Sequence, residues 1–136
     1  MKYTPLNWPY SWFGSWREFG EGYENFPSVK LFIDPKRNAE YNKEKLIEYL
    51  SEGPAVVATS RIAFPPLFQE EVRKGSVSYK TDGKKFWLDS ICDYILCNNL
   101  VIPEKWYNEI LANDFKLPDN IDLDKAVKDF LNAERP

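Results

Sequence analysis

Residues 76–96, SVSYKTDGKKFWLDSICDYIL, place the strictest local demands on any fold this chain can adopt. Residues 76–79 alternate small and apolar side chains, the period of a half-buried strand. Thr81-Asp82-Gly83 follows as a hairpin signal, because Asp-Gly supplies the positive φ angles that a tight turn requires. Residues 84–87 return as a second strand. Neighbouring strand residues point to opposite faces, so at least one of the Phe86 and Trp87 rings enters a core. The chain then passes directly into a helix. Asp89 or Ser90 can cap it, and Ser90 with Asp93 has capping-box spacing. Leu88, Ile91, Cys92 and Ile95 share one face. The rest of the chain is expected to pack around this strand, turn, strand and helix.

The first 27 residues crowd nine rings, from Tyr3 to Phe26, among prolines and glycines that break both regular periods. They predict an irregular arm laid across the core and held by its rings. A short helix over residues 15–19 is expected, with Ser15 as its cap and Glu18 completing the box. Residues 27–33 fit either a strand or a helical turn, and Asp34-Pro35 starts a turn. A helix is expected over 43–51, capped by Asn42, stapled by Tyr41 and Leu46, and buried along Leu46, Ile47 and Leu50. Gly53-Pro54 ends it. The β-branched run at 55–60 reads as a central strand covered on both faces. Residues 61–75 read as a long loop, since Pro65-Pro66 forbids ladder pairing, with Phe64, Leu67 and Phe68 folding back on the core.

Beyond the central unit, Asn98-Asn99 stops the helix and Leu100, Val101 and Ile102 form an apolar link. Pro103 suits the start of a helix over 104–113 that carries Trp106, Tyr107, Ile110 and Leu111. Asp122 caps a last helix over 123–133, with Leu123, Ala126, Val127, Phe130 and Leu131 as its stripe. Strands clustered mid-chain with helices set apart in sequence imply an α+β fold. We expect a single domain over 1–136, made of an arm at 1–27 and a core at 28–136. Its sheet is small and mainly antiparallel, with a central hairpin and about four packing helices.

Charge and composition narrow the function classes. The chain has 136 residues and a net charge of −3, and the imbalance is local. Residues 61–87 carry six basic and three acidic groups, whereas residues 88–136 carry five basic and ten acidic. An acidic face repels nucleic acid and steers basic proteins. With no histidine, the commonest base near neutral pH, every Ser-His or Cys-His pair and the usual zinc sets are ruled out. No glycine-rich phosphate loop follows a strand. Asp119, Asp122 and Asp124 lack the central glycine and terminal glutamate of a calcium loop. No cofactor or metal is therefore expected, and no enzyme activity. Cys92 and Cys97, five apart on a helix, point to different faces and should remain free thiols, as in a reducing, cytoplasmic setting. No membrane segment is expected.

The run GSVSYKTDGKKFWL at 75–88, the Asp93-Tyr94-Ile95 segment, and Ile102-Pro103-Glu104 with Trp106 are similar to a pattern in small bacterial immunity proteins of polymorphic toxin systems. The resemblance spans roughly residues 54–113. It implies a non-catalytic inhibitor that binds a cognate protein toxin and occludes its active site or substrate surface. Such binding needs a desolvated anchor with a polar rim. The candidates are Trp106 and Tyr107 with Glu104 and Glu109, together with Asp89 and Asp93. The alternative is a nucleic-acid-associated protein. It would use Arg61, Arg73, Lys74, Lys80, Lys84 and Lys85, with Tyr79, Phe86 and Trp87 as stacking platforms.

Overall fold

Phe86 and Trp87 sit back to back on one short strand and divide the molecule into two apolar layers. The computed structural model describes residues 3–63 and 73–134, except for the side chains of 58–63 and 73–77. Among these residues, four strands form one sheet in the order β1-β4-β3-β2, with β1 at Trp12–Phe13, β2 at Ala55–Ala63, β3 at Arg73–Thr81 and β4 at Phe86–Leu88. β2 with β3 and β3 with β4 are antiparallel. β1 runs parallel to β4, pairing Trp12 with Phe86 and Phe13 with Trp87. The sheet is therefore mixed. The arm contributes a strand of its own, which its broken periodicity had concealed.

Among the described residues, five α-helices pack on the sheet: α1 Pro35–Ala39, α2 Lys43–Glu52, α3 Ile91–Cys97, α4 Glu104–Ala112 and α5 Leu123–Asn132. One face of the sheet packs Trp87 and Phe13 with Trp16, Phe32, Leu46, Leu50, Ile91, Ile95 and Trp106. The other packs Trp12 and Phe86 with Ala126 and Phe130 of α5. Most of the arm's rings are consumed in this packing. Trp8, for example, meets the rings of Tyr3, Tyr10, Trp12, Phe13 and Phe32 at centroid distances of 5.1–5.7 Å, the edge-on spacing aromatic quadrupoles favour. The Trp12 Nε1–H donates to the Glu134 carbonyl at 2.7 Å, tying the arm to the far end of the chain.

Several local expectations are corrected. The run from Ala55 is an edge strand among the described residues, because it pairs only with β3. Val56 and Val57 are half-buried, and a β-branched run satisfies one covered face as well as two. The loop expected at 61–75 is shorter, since β2 continues to Ala63 and β3 resumes at Arg73. Pro65-Pro66, Phe64, Leu67 and Phe68 lie outside the described residues. Ser15 caps nothing; it is buried and its hydroxyl shares a hydrogen bond with Tyr79. The segment after it is a 3-10 turn at Arg17–Phe19. Glu18 instead accepts from the Val29 amide at 3.0 Å and from the Ser28 hydroxyl, closing a second 3-10 turn at Val29–Phe32. Ser90 makes no side-chain capping bond at α3, so the Ser90-Asp93 box is not formed.

Other sequence signals act as read. Asn42 and Asp122 accept from the amides three residues on, at 3.3 and 3.1 Å. Asp34 does the same for α1, with Pro35 at its first position, a helix where only a turn was expected. Asn38, 1% exposed, donates to the carbonyls of Ile95 and Leu100 at 3.0 and 2.7 Å. That clamp holds the fully buried link Leu100, Val101 and Ile102 against the core. Gly14 is required where β1 ends: its φ is +119°, and a Cβ there would lie 2.7 Å from the Leu88 Cβ. Gly14→Ala is expected to cost at least about 2 kcal/mol, from combined left-handed strain and overpacking, read as a lowered midpoint in urea unfolding.

Candidate functional site

The six residues singled out from the sequence fall into two neighbourhoods and one buried position. Trp106 is 5% exposed, with its ring edge-on to Phe13 at 5.9 Å. It belongs to the core, so it does not serve as a surface anchor. The spacing of Trp106 and Ile110 on α4 fixes which face turns inward, and both are buried.

Around the unburied part of α4, Glu104, Tyr107 and Glu109 are each held by a different element. Glu104 meets the Arg37 guanidinium of α1 at 3.3 Å. Tyr107 stacks on Tyr41 with centroids 4.2 Å apart, and its hydroxyl accepts from the Asn42 amide at 3.1 Å. Glu109 meets the Lys85 ammonium at 2.7 Å. The two glutamates keep 44% and 43% of their side-chain surface in water, so they are fixed in place yet accessible. Ion pairs this exposed add little stability, about 0–1 kcal/mol each. Their effect is positional.

Asp89 and Asp93 flank Cys92 at the start of α3. Both are half-exposed. Burial pushes the Cys92 thiol pKa up; the Ser51 hydroxyl, 3.8 Å away, works against this, and the negative charges of Asp93 and Asp89 add to it. Cys97 is exposed, and both thiols are free. At pH 8 a disulfide reagent should modify one thiol quickly. The Cys97→Ser chain should lose that fast phase and the Cys92→Ser chain keep it, with Cys92 slower because it is partly buried and its pKa is raised.

The turn between β3 and β4 links these helices. Asp82, 5% exposed, accepts from the Tyr49 hydroxyl of α2 at 2.6 Å and from the Lys84 and Lys85 amides at 3.0 and 2.8 Å. The Lys85 ammonium stands 3.5 Å from Asp82 and bridges onward to Glu109. Burial disfavours charge on Asp82, yet the Tyr49 hydroxyl, the two amides and Lys85 together hold its pKa below the ordinary value. The sequence signals the turn at Asp82-Gly83 but not this buried bridge, which depends on residues far apart in the chain.

Two of the lysines proposed for nucleic-acid contact are turned to internal work. Lys85 is 12% exposed within the bridge, and the Lys80 ammonium donates to the Ser51 carbonyl. Phe86 and Trp87, the proposed stacking platforms, are buried at 1% and 0%. The side chains of Arg61, Arg73 and Lys74 lie outside the described residues.

Among the described residues, no group of three or more His, Cys, Asp or Glu side chains is placed to hold a metal ion. A groove of about 540 Å³ opens under the arm, lined by Tyr3, Arg17, Glu24, Phe26, Ser28 and Leu31, and none of the six candidate residues lines it. Among the described residues, no helix is long and apolar enough to cross a membrane. Compared with protein-family models, curated proteins and solved structures, the chain finds no match.

Proposed function

We propose that this chain is a non-catalytic immunity protein that binds a cognate bacterial toxin and neutralises it by covering its active site or substrate surface. The observation that carries the reading is a pair of held carboxylates on the two flanks of α4. Glu104 and Glu109 are held by Arg37 and Lys85 at 3.3 and 2.7 Å while each keeps over two fifths of its side chain in water. Carboxylates fixed before the encounter lose little freedom when a partner arrives, which favours tight association. The acidic excess of residues 88–136, ten acidic against five basic groups, matches a cationic surface, such as the substrate cleft of a toxin acting on an anionic polymer.

The test belongs in the native host. A tagged chain should retain one protein whose expression alone arrests growth, and co-expression of the chain should restore growth. A retained protein that is harmless when expressed alone would overturn the reading. Glu104→Lys with Glu109→Lys should weaken the complex about 100-fold, chiefly by slowing association at low salt, as measured by surface plasmon resonance.

A further inference from the structure

We propose that the outer flank of α5 is a docking surface for a basic protein partner, seated on Leu123, Val127 and Leu131 and steered by Asp119 and Asp124. This rests on the immunity reading and assigns it a contact surface that the α4 acids do not include. The apolar stripe of α5 is wider than the sheet it covers. Ala126 and Phe130 are 1% and 7% exposed, whereas Leu123 is 41% exposed, Leu131 is 65% exposed and Val127 is half-buried. Positions four apart stack on one side of a helix, so the last three form a single ridge beside the buried face. Among the described residues, α5 is the one α-helix with two exposed leucines. A run of apolar side chains left in water and rimmed by charge is what a partner surface buries at its centre.

The rim decides the partner's chemistry. Residues 119–134 carry five acidic and two basic groups. Asp122 is occupied in capping and Asp129 pairs with Lys125 at 2.7 Å. Asp119 and Asp124 are exposed and have no such duty among the described residues. A second copy would bring the same negative rim against this one, so the occupant is a different chain, with an apolar hollow bordered by lysine and arginine.

The experiment has an arm without the partner and an arm with it. In the isolated chain, Leu123→Ser with Leu131→Ser should leave the thermal midpoint within about 3 °C of the parent, because exposed side chains contribute little to folding. A larger fall overturns the proposal, since the ridge is then covered within the chain. For the second arm, the protein retained in the native host is identified, purified and titrated by calorimetry. The serine pair should weaken binding about 100-fold. Asp119→Asn with Asp124→Asn should weaken it less and flatten its salt dependence. If the serine pair binds like the parent while Glu104→Gln with Glu109→Gln does not, the α5 surface is overturned and the immunity reading stands. If no protein is retained, both fall. Dimerisation of the parent chain that the serine pair abolishes identifies a second copy as the occupant and overturns the proposal.

Discussion

Trp87→Ala is expected to destabilise the fold by about 4 kcal/mol, read as a lowered midpoint in urea unfolding monitored by circular dichroism. That is a large share of the roughly 5–15 kcal/mol by which a domain is ordinarily stable. Trp87 is 0% exposed on the short strand that joins the arm to the hairpin, stacks on Tyr49 at 6.0 Å, and donates its Nε1–H to the Leu50 carbonyl at 2.9 Å. Removing the ring empties a large volume at the meeting of β4 and α2, and both elements must move to refill it. Trp87→Phe keeps much of the apolar volume and loses the hydrogen bond. It should cost about 1–2 kcal/mol, mainly through the stranded Leu50 carbonyl. Equal losses for the two variants would mean that the hydrogen bond, rather than the packing, matters at this position.

The same ring explains a glycine whose role the sequence suggests only in part. Gly53 ends α2, as a glycine there commonly does, but its φ of −58° is open to any residue. A Cβ at that position would lie 2.7 Å from the Trp87 Cζ2 and 2.9 Å from the Thr81 carbonyl oxygen. The requirement is close approach to a ring 34 positions away. A single sequence shows the punctuation and hides this cause.

The same division runs through the fold and the site. Patterns with short reach act as read: the Asn42 and Asp122 caps, the opposite faces of Phe86 and Trp87, and the helical start after β4. Features set by distant partners were hidden. β1 depends on pairing with a strand more than seventy residues away, so its own two residues carry no period. Ser15 and Ser90 have capping-residue chemistry, but Ser15 is drawn to Tyr79 and Ser90 makes no capping bond. The stripe on α5 is legible as a pattern, yet its width exceeds what the sheet covers. At the site, the acidic excess of the last third was visible in the sequence. Which carboxylates are held, and by which cations, follows from α1 and the turn coming alongside α4.

The bridge at Asp82 should contribute to the response of the fold to acid. Asp82→Ala leaves the Tyr49 hydroxyl and the Lys84 and Lys85 amides without their acceptor. Buried donors left unpaired in this way should cost about 3 kcal/mol at pH 7. Asp82→Asn keeps an acceptor for the amides but loses the charge, and should cost about 1–2 kcal/mol. The pKa of Asp82 is lowered in the folded chain from an ordinary 3.8. Its contribution is therefore complete above about pH 4 and is lost as the pH falls through the lower folded value, since only the ionised form is held. The stability gap between the parent and Asp82→Asn should be constant from pH 5 to 8 and close below pH 4.

Tyr49 has the opposite sign. Burial, then its hydrogen bond to Asp82, pushes its pKa far above the ordinary 10.0. The folded chain favours the neutral phenol, so its contribution is complete below pH 10 and is lost as the pH rises beyond that. Tyr49→Phe should reduce the alkaline loss of stability, leaving the share carried by buried Tyr41. It should also raise the Asp82 pKa, moving the acid transition of the fold toward neutral pH. An acid limb unchanged in both Asp82→Asn and Tyr49→Phe would mean that the turn is held by its backbone and that Lys85 is bound by Glu109 alone.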